Sequence, residues 1–130
     1  MLAFRWLFAF AITQVVEMGI YAQAFGPERS VRERLTLAFV MSAVTHPIVV
    51  YVIPDLVYDF VADDYWTMVV FAEAFAVLAE ALMLAMLGLG RGRAFLWSLS
   101  ANACSFTMGM FIYSYTPPEL PQGSSGGVYE

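Results

Sequence analysis

The sequence predicts an all-α integral membrane protein, a four-transmembrane-helix bundle with short loops and both termini on the outer, non-cytoplasmic side. Three observations carry that reading. The 130 residues are 61% hydrophobic and only 13% charged, with a mean hydropathy of +0.70, which lies outside the range of soluble globular domains. Apolar segments of spanning length occupy residues 2–25, 35–53, 67–89 and 94–113 and leave no room for an extramembrane domain. The arginines fall at segment ends: Arg29, Arg32 and Arg34 in the first loop, Arg91 and Arg93 in the third, against Arg5 alone on the other side. The bias toward cytoplasmic positive charge therefore assigns the first and third loops to the cytoplasm.

The third segment, residues 67–89, organises the rest. Its 23 residues carry two acids, Glu73 and Glu80, and no base; at ~1.5 Å per residue they cover ~34 Å, enough for the ~30 Å hydrocarbon layer. Seven residues is two helical turns, so the two carboxyls share a face. An acid near the bilayer centre costs roughly 2.5 to 3.5 kcal/mol on insertion scales, so both should turn toward other helices or water.

The first segment carries Gln14, Glu17 and Tyr21 at i, i+3, i+7 spacing, which also puts them on one face. A competing reading of this segment is a secretory signal, with Arg5, the apolar run 6–12 and a cleavage-like Ala22-Gln23-Ala24; the short apolar core and the intervening Glu17 weigh against it. Residues 26–34 read as a loop in which Ser30 and Glu33 form a capping box ahead of the second segment. That segment has a polar stripe of Ser42, Thr45 and His46, with Pro47 removing a backbone hydrogen bond beside the histidine and Pro54 ending the span. Residues 55–65 then form an outer loop bearing Asp55, Asp59 and Asp63 at four-residue spacing, an acidic mouth if helical, followed by the interface anchors Tyr65 and Trp66. In the fourth segment Ser98, Asn102 and Ser105 share a face, and Ala101, Ser105 and Gly109 form a small-residue ridge suited to close helix contact. Residues 1–115 thus form the bundle. Residues 116–130 read as a flexible Pro/Gly/Ser tail, whose Gly/Ser part has the composition of a cloning scar.

Composition narrows the function. With no lysine and a net charge of −5 the chain offers no nucleic-acid footprint. One cysteine, Cys104, gives no intrachain disulfide, and one histidine gives no multi-histidine zinc site. The glycine turn at residues 88–93 follows no strand and lacks the dinucleotide-binding spacing. Depth counted along the helices sets His46 and Glu73 ~10 Å below the outer surface and Glu17, Glu80 and Asn102 near ~20 Å. The first functional expectation is therefore a cation site, for a divalent metal or a proton, built from His46, Glu73, Glu80 and Glu17 and supported by Asn102, Gln14, Thr45 and Tyr21. One imidazole and several carboxylates suit Zn, Mn or Fe better than Cu(I). On the purely structural reading of the acids, Glu17 is a protonated hydrogen-bond partner of Asn102. The alternatives are a structural or assembly subunit, whose partners are the lipid bilayer and either a second copy or a larger membrane complex, and an enzyme using a His/Glu acid-base pair on a lipid-like substrate. No nucleophile or zinc-hydrolase motif supports the enzyme.

The Thr45-His46-Pro47 turn, with Glu73 and Glu80 in the next span, resembles small four-span bacterial inner-membrane proteins. The resemblance covers the second and third spans and rests on five residues. It implies a four-helix fold in that membrane and a paired His/Glu site, and it implies no reaction.

Overall fold

The computed structural model describes residues 2–115, with some side chains near both ends of that range left undescribed; the expected tail at residues 116–130 lies outside the described residues. Apart from its short connections the described chain is helical, with no strand among the described residues. Four helices succeed one another: α1 (Leu2–Ala24), α2 (Val31–Phe60), α3 (Tyr65–Met86) and α4 (Arg91–Tyr115). By length and composition α2, α3 and the part of α4 from Arg91 to Ile112 are apolar enough to cross a membrane. Each of these three leaves large apolar side chains such as Val44, Leu78, Leu82 and Leu96 exposed on its outer surface, where a bilayer rather than water would be an indifferent neighbour.

The connections are short, so consecutive helices run antiparallel. One end of the bundle carries the 25–30 and 87–90 connections with Arg29, Arg32, Arg34, Arg91 and Arg93; the other carries the 61–64 connection and the aspartates. Around the ring α1 packs on α2 and α4, and α3 packs on α4 and α2, whereas the diagonal pairs α1/α3 and α2/α4 make no close backbone approach. The dry core gathers toward the arginine end, where Phe25, Ala38, Met41, Leu84, Ala94 and Ala101 pack around Tyr21. Helix α1 continues unbroken through Ala22-Gln23-Ala24 and is locked into this core by Tyr21 and Phe25, so its last turns belong to the bundle.

Local signals explain the ends. Ser30 and Glu33 form the reciprocal capping box, with Ser30 N–H donating to the Glu33 carboxylate at 2.8 Å and Glu33 N–H to Ser30 Oγ at 3.2 Å, so α2 begins at Val31, four residues earlier than the apolar run. At the end of α3 the Gly88 N–H donates to the Ala85 carbonyl and the Leu89 N–H to that of Leu84, both at 3.1 Å. This closing arrangement needs a left-handed residue, and Gly88 supplies it at φ 102°. Two arginines also close helix ends: Arg29 donates to the Leu87 carbonyl at 3.0 Å and Arg34 to that of Ala22 at 3.1 Å, each setting positive charge on the negative end of a helix dipole.

The main departure from expectation is in α2. Pro54 does not end it; the helix runs 30 residues to Phe60, ~45 Å at ~1.5 Å per residue, longer than the hydrocarbon layer. Proline lacks an N–H and crowds the carbonyl four residues back. The backbone accommodates this by widening to a π turn at Ile48–Val52, between Pro47 and Pro54, in which the Ile53 N–H reaches the Ile48 carbonyl. Asp55 and Asp59 consequently lie on helix rather than loop. Val57, 2% exposed, faces inward between them, so both aspartates, two residues either side of it, point out.

Helix α3 is started by a residue absent from the sequence reading, Asp64, whose carboxylate accepts the Thr67 N–H at 2.9 Å. The Thr67 hydrogen bonds hold its carboxyl below the ordinary value of 3.8. Because the folded value is the lower one, this cap stabilises the fold above the ordinary aspartate range and is lost as pH falls through it. Melting temperatures of detergent-purified protein between about pH 7 and pH 3 should therefore fall more steeply for the wild type than for Asp64→Asn; parallel curves would contradict this role for the cap.

Candidate functional site

Above the dry core the interior turns polar. Glu80, on α3, is 1% exposed and Glu17, on α1, is 2% exposed, yet both carboxyls are furnished with donors. Tyr21 of α1 donates its hydroxyl to Glu80 Oε2, Asn102 of α4 donates Nδ2–H to the same oxygen at 2.8 Å, and Thr45 of α2 donates to Glu80 Oε1 at 2.6 Å. Glu80 thus receives one hydrogen bond from each of the other three helices. The Tyr21 bond spans the α1/α3 diagonal, where no backbone contact exists. Glu17 is held by Ser42 of α2 at Oε2 and by Ser105 of α4 at 2.9 Å on Oε1.

The remaining polar atoms orient these donors. Ser98 donates to the Val77 carbonyl of α3 at 2.8 Å, tying α4 to α3 one turn from Asn102. Asn102 shares its amide hydrogens with the Ser98 carbonyl at 3.0 Å, which fixes the side chain along its own helix. The spacing of four from Ser98 to Asn102 and three from Asn102 to Ser105 delivers all three onto the inner face of α4. Buried hydroxyls and amides need partners in a medium without water; here Tyr21, Ser42, Thr45, Ser98, Asn102 and Ser105 each donate to a carboxyl or carbonyl of a neighbouring helix.

From this floor a cavity of about 360 Å³ extends toward the aspartate end. Glu17, Ser42, Thr45, Glu80, Asn102 and Ser105 line its base, His46 and Glu73 its middle, and Pro54, Tyr65 and Met68 its far end. The π turn contributes Val49 and Val50 to the wall, and Ala72 and Ala76 leave room on α3. The His46 ring also stacks at a tilt on Phe10, with centroids 5.1 Å apart.

Several expectations change. Glu17 does not pair with Asn102; the two serines take it, and Asn102 goes to Glu80. Gln14 is buried at 6% exposure but joins neither carboxyl, and its amide atoms have no hydrogen-bond partner among the described residues. Asp55, Asp59 and Asp63 are exposed and none lines the cavity, whose far end is lined by Pro54, Tyr65 and Met68 rather than by an acidic mouth. Gly109 lines the cavity instead of meeting a neighbouring helix: a Cβ there would find no atom within 4 Å. His46, Glu73, Glu80 and Glu17 do share one cavity, but among the described residues no three histidine, cysteine or acidic side chains converge closely enough to hold one metal ion.

Fold and site together describe a helical membrane protein with a buried carboxylate network beneath a cavity. No protein family, curated protein or solved structure matches the chain.

Tyr21→Phe removes only the hydroxyl that bridges the diagonal. Interhelical hydrogen bonds of this kind average roughly 0.6 kcal/mol and reach about 1.7, and Glu80 keeps two other donors. Reversible unfolding in mixed micelles should register a loss of about 1 kcal/mol; an unchanged midpoint would mean that the bond carries no stability.

Proposed function

We propose that this protein binds a cation at the Glu17/Glu80 pair and passes it across the membrane, entering from the aspartate end, with the proton as the cation the arrangement suits best. The observation that carries the proposal is the joining of two buried carboxyls from different helices, within one hydrogen-bonded layer, to a cavity that reaches toward one end of the bundle. Buried acids cost more than neutral residues that fill the same space, so a layer containing two of them is a poor choice for packing alone. A proton needs only one lone pair. A divalent metal needs several converging ligands, and here five protein donors already occupy the carboxyl oxygens. Zn, Mn or Fe therefore fits less well than a proton.

The same reading takes α1 as a fourth span and sets both termini and the aspartates on the outer side. The five-to-one arginine bias supports that orientation. The dry core at the arginine end then closes the cytoplasmic half of the path, so the conformation is one that accepts its cation from outside. Release on the other side requires that the core around Leu84 and Met41 loosen, a second state of the bundle. A bacterial inner membrane and a homo-oligomer are consistent with this scheme.

A second reading has its own support: because every donor on Glu17 and Glu80 is the protein's own, the layer also serves as interhelical glue in a structural subunit. Proteoliposomes distinguish the two. Under an imposed membrane potential, an internal pH dye should report proton entry into wild-type vesicles, slowed at least about tenfold by Glu80→Gln and by Glu17→Gln, a barrier increase of ~1.4 kcal/mol or more. Wild-type vesicles no leakier than protein-free ones, or flux unaffected by both substitutions, would remove the proton reading. Zinc or manganese retained stoichiometrically by the wild type and lost in Glu17→Gln would move the proposal to a metal.

A further inference from the structure

We propose that the cavity above the carboxyl layer binds a lipophilic organic cation, a substituted amine or quaternary ammonium carrying an aryl or alkyl group. The inference rests on the carboxylate pair being a cation site, and it adds the size and chemistry of what that site receives. Size decides first. A proton needs no cavity and a dehydrated metal ion needs less than one water's share of volume, about 30 Å³, whereas this cavity measures about 360 Å³, within the range of pockets that hold small organic molecules.

Charge decides next. The lining contains three acids, Glu17, Glu73 and Glu80, one histidine, His46, and neither arginine nor lysine, so an anionic or zwitterionic guest would find no permanent positive charge to offset its own. A neutral apolar guest would leave the carboxyl floor without the positive charge that favours it. The walls complete the description. Above the floor they are mostly apolar, formed by residues such as Val49, Val69, Ala72 and Phe106, with Tyr65 at the far end. Apolar walls take a hydrocarbon body, and the Phe106 and Tyr65 rings are ring types that attract alkylammonium groups through their faces. An organic cation is the one class that satisfies floor and walls together: its charge meets the carboxyls and its body fills the volume that water would otherwise occupy.

The test uses benzyltrimethylammonium as probe and neopentylbenzene as its uncharged isostere, with the full chain in lipid nanodiscs. Equilibrium dialysis of labelled probe should show saturable binding to the wild type, weakened at least tenfold by Glu80→Gln, and excess neopentylbenzene should not compete. Gly109→Leu provides the second variant. It adds a side chain where the cavity is open and replaces none of the residues of the carboxyl layer, so it should weaken binding about tenfold while helix content and melting temperature do not fall below wild-type values. This variant keeps the test valid if Glu80→Gln fails to fold. Absence of saturable binding to the wild type, equal competition by neopentylbenzene, or undiminished binding in Gly109→Leu would overturn the inference. The two proposals fail separately: proton flux that depends on Glu80, without probe binding, overturns only the organic cation, whereas probe binding without proton flux supports the organic cation and removes the proton.

Discussion

The Glu80 carboxyl is the point at which all four helices meet. It sits on α3 and accepts hydrogen bonds from Tyr21 on α1, Thr45 on α2 and Asn102 on α4. In hydrocarbon there is no hydrophobic force to drive helices together, and packing and interhelical hydrogen bonds do that work. An acid with several lone pairs can hold several donors at once, so one side chain sets the register of three neighbours. A slide of any helix by one turn, about 5.4 Å, would remove its donor from reach. Glu17 repeats the device between α1, α2 and α4 through Ser42 and Ser105.

This constraint divides the bundle into two halves. Toward the arginine end, Phe25, Ala38, Leu84 and Ala94 close the interior into a dry core, and the arginine caps and the Gly88 turn tie the two connections there to the ends of α1 and α3. Toward the aspartate end the interior does not close. The two prolines of α2 force a π turn whose widened backbone shapes the cavity wall. Small residues on α3, Ala72 and Ala76, together with Gly109 on α4, keep the opposite walls back. Solidity on one side and space on the other is the asymmetry that a one-sided binding site needs, and the carboxyl layer lies at the boundary between them.

Much of this organisation is legible in the sequence because it is periodic. The two-turn separation of Glu73 and Glu80, the shared face of Glu17 and Tyr21, and the stripe Ser98, Asn102, Ser105 all follow from helical geometry alone, and the helices deliver those residues inward. Pairing is less legible. Spacing says which face a residue occupies but not which partner stands across from it, so Glu17 was assignable to Asn102 when the shorter reach lay with two serines. Proline is the other source of error. Pro54 looks like a terminator when read locally, but a helix whose neighbours pack against it can shift one turn into π geometry and continue. That continuation carried Asp55 and Asp59 from an expected loop onto the outer face of α2. Asp64 was hidden among neighbouring acids, and only its distance of three residues from Thr67 marks it as a cap.

The central claim is that a buried acid draws one donor from each surrounding helix. Solid-state NMR on the protein in lipid bilayers, with carbon labels at the Glu carboxyl and on Tyr, Thr and Asn, tests it most directly. The structure predicts through-space cross-peaks from the Glu80 carboxyl carbon to Tyr21, Thr45 and Asn102 and none to lipid acyl chains. Acyl-chain cross-peaks at Glu80, with those to the three side chains missing, would contradict the account.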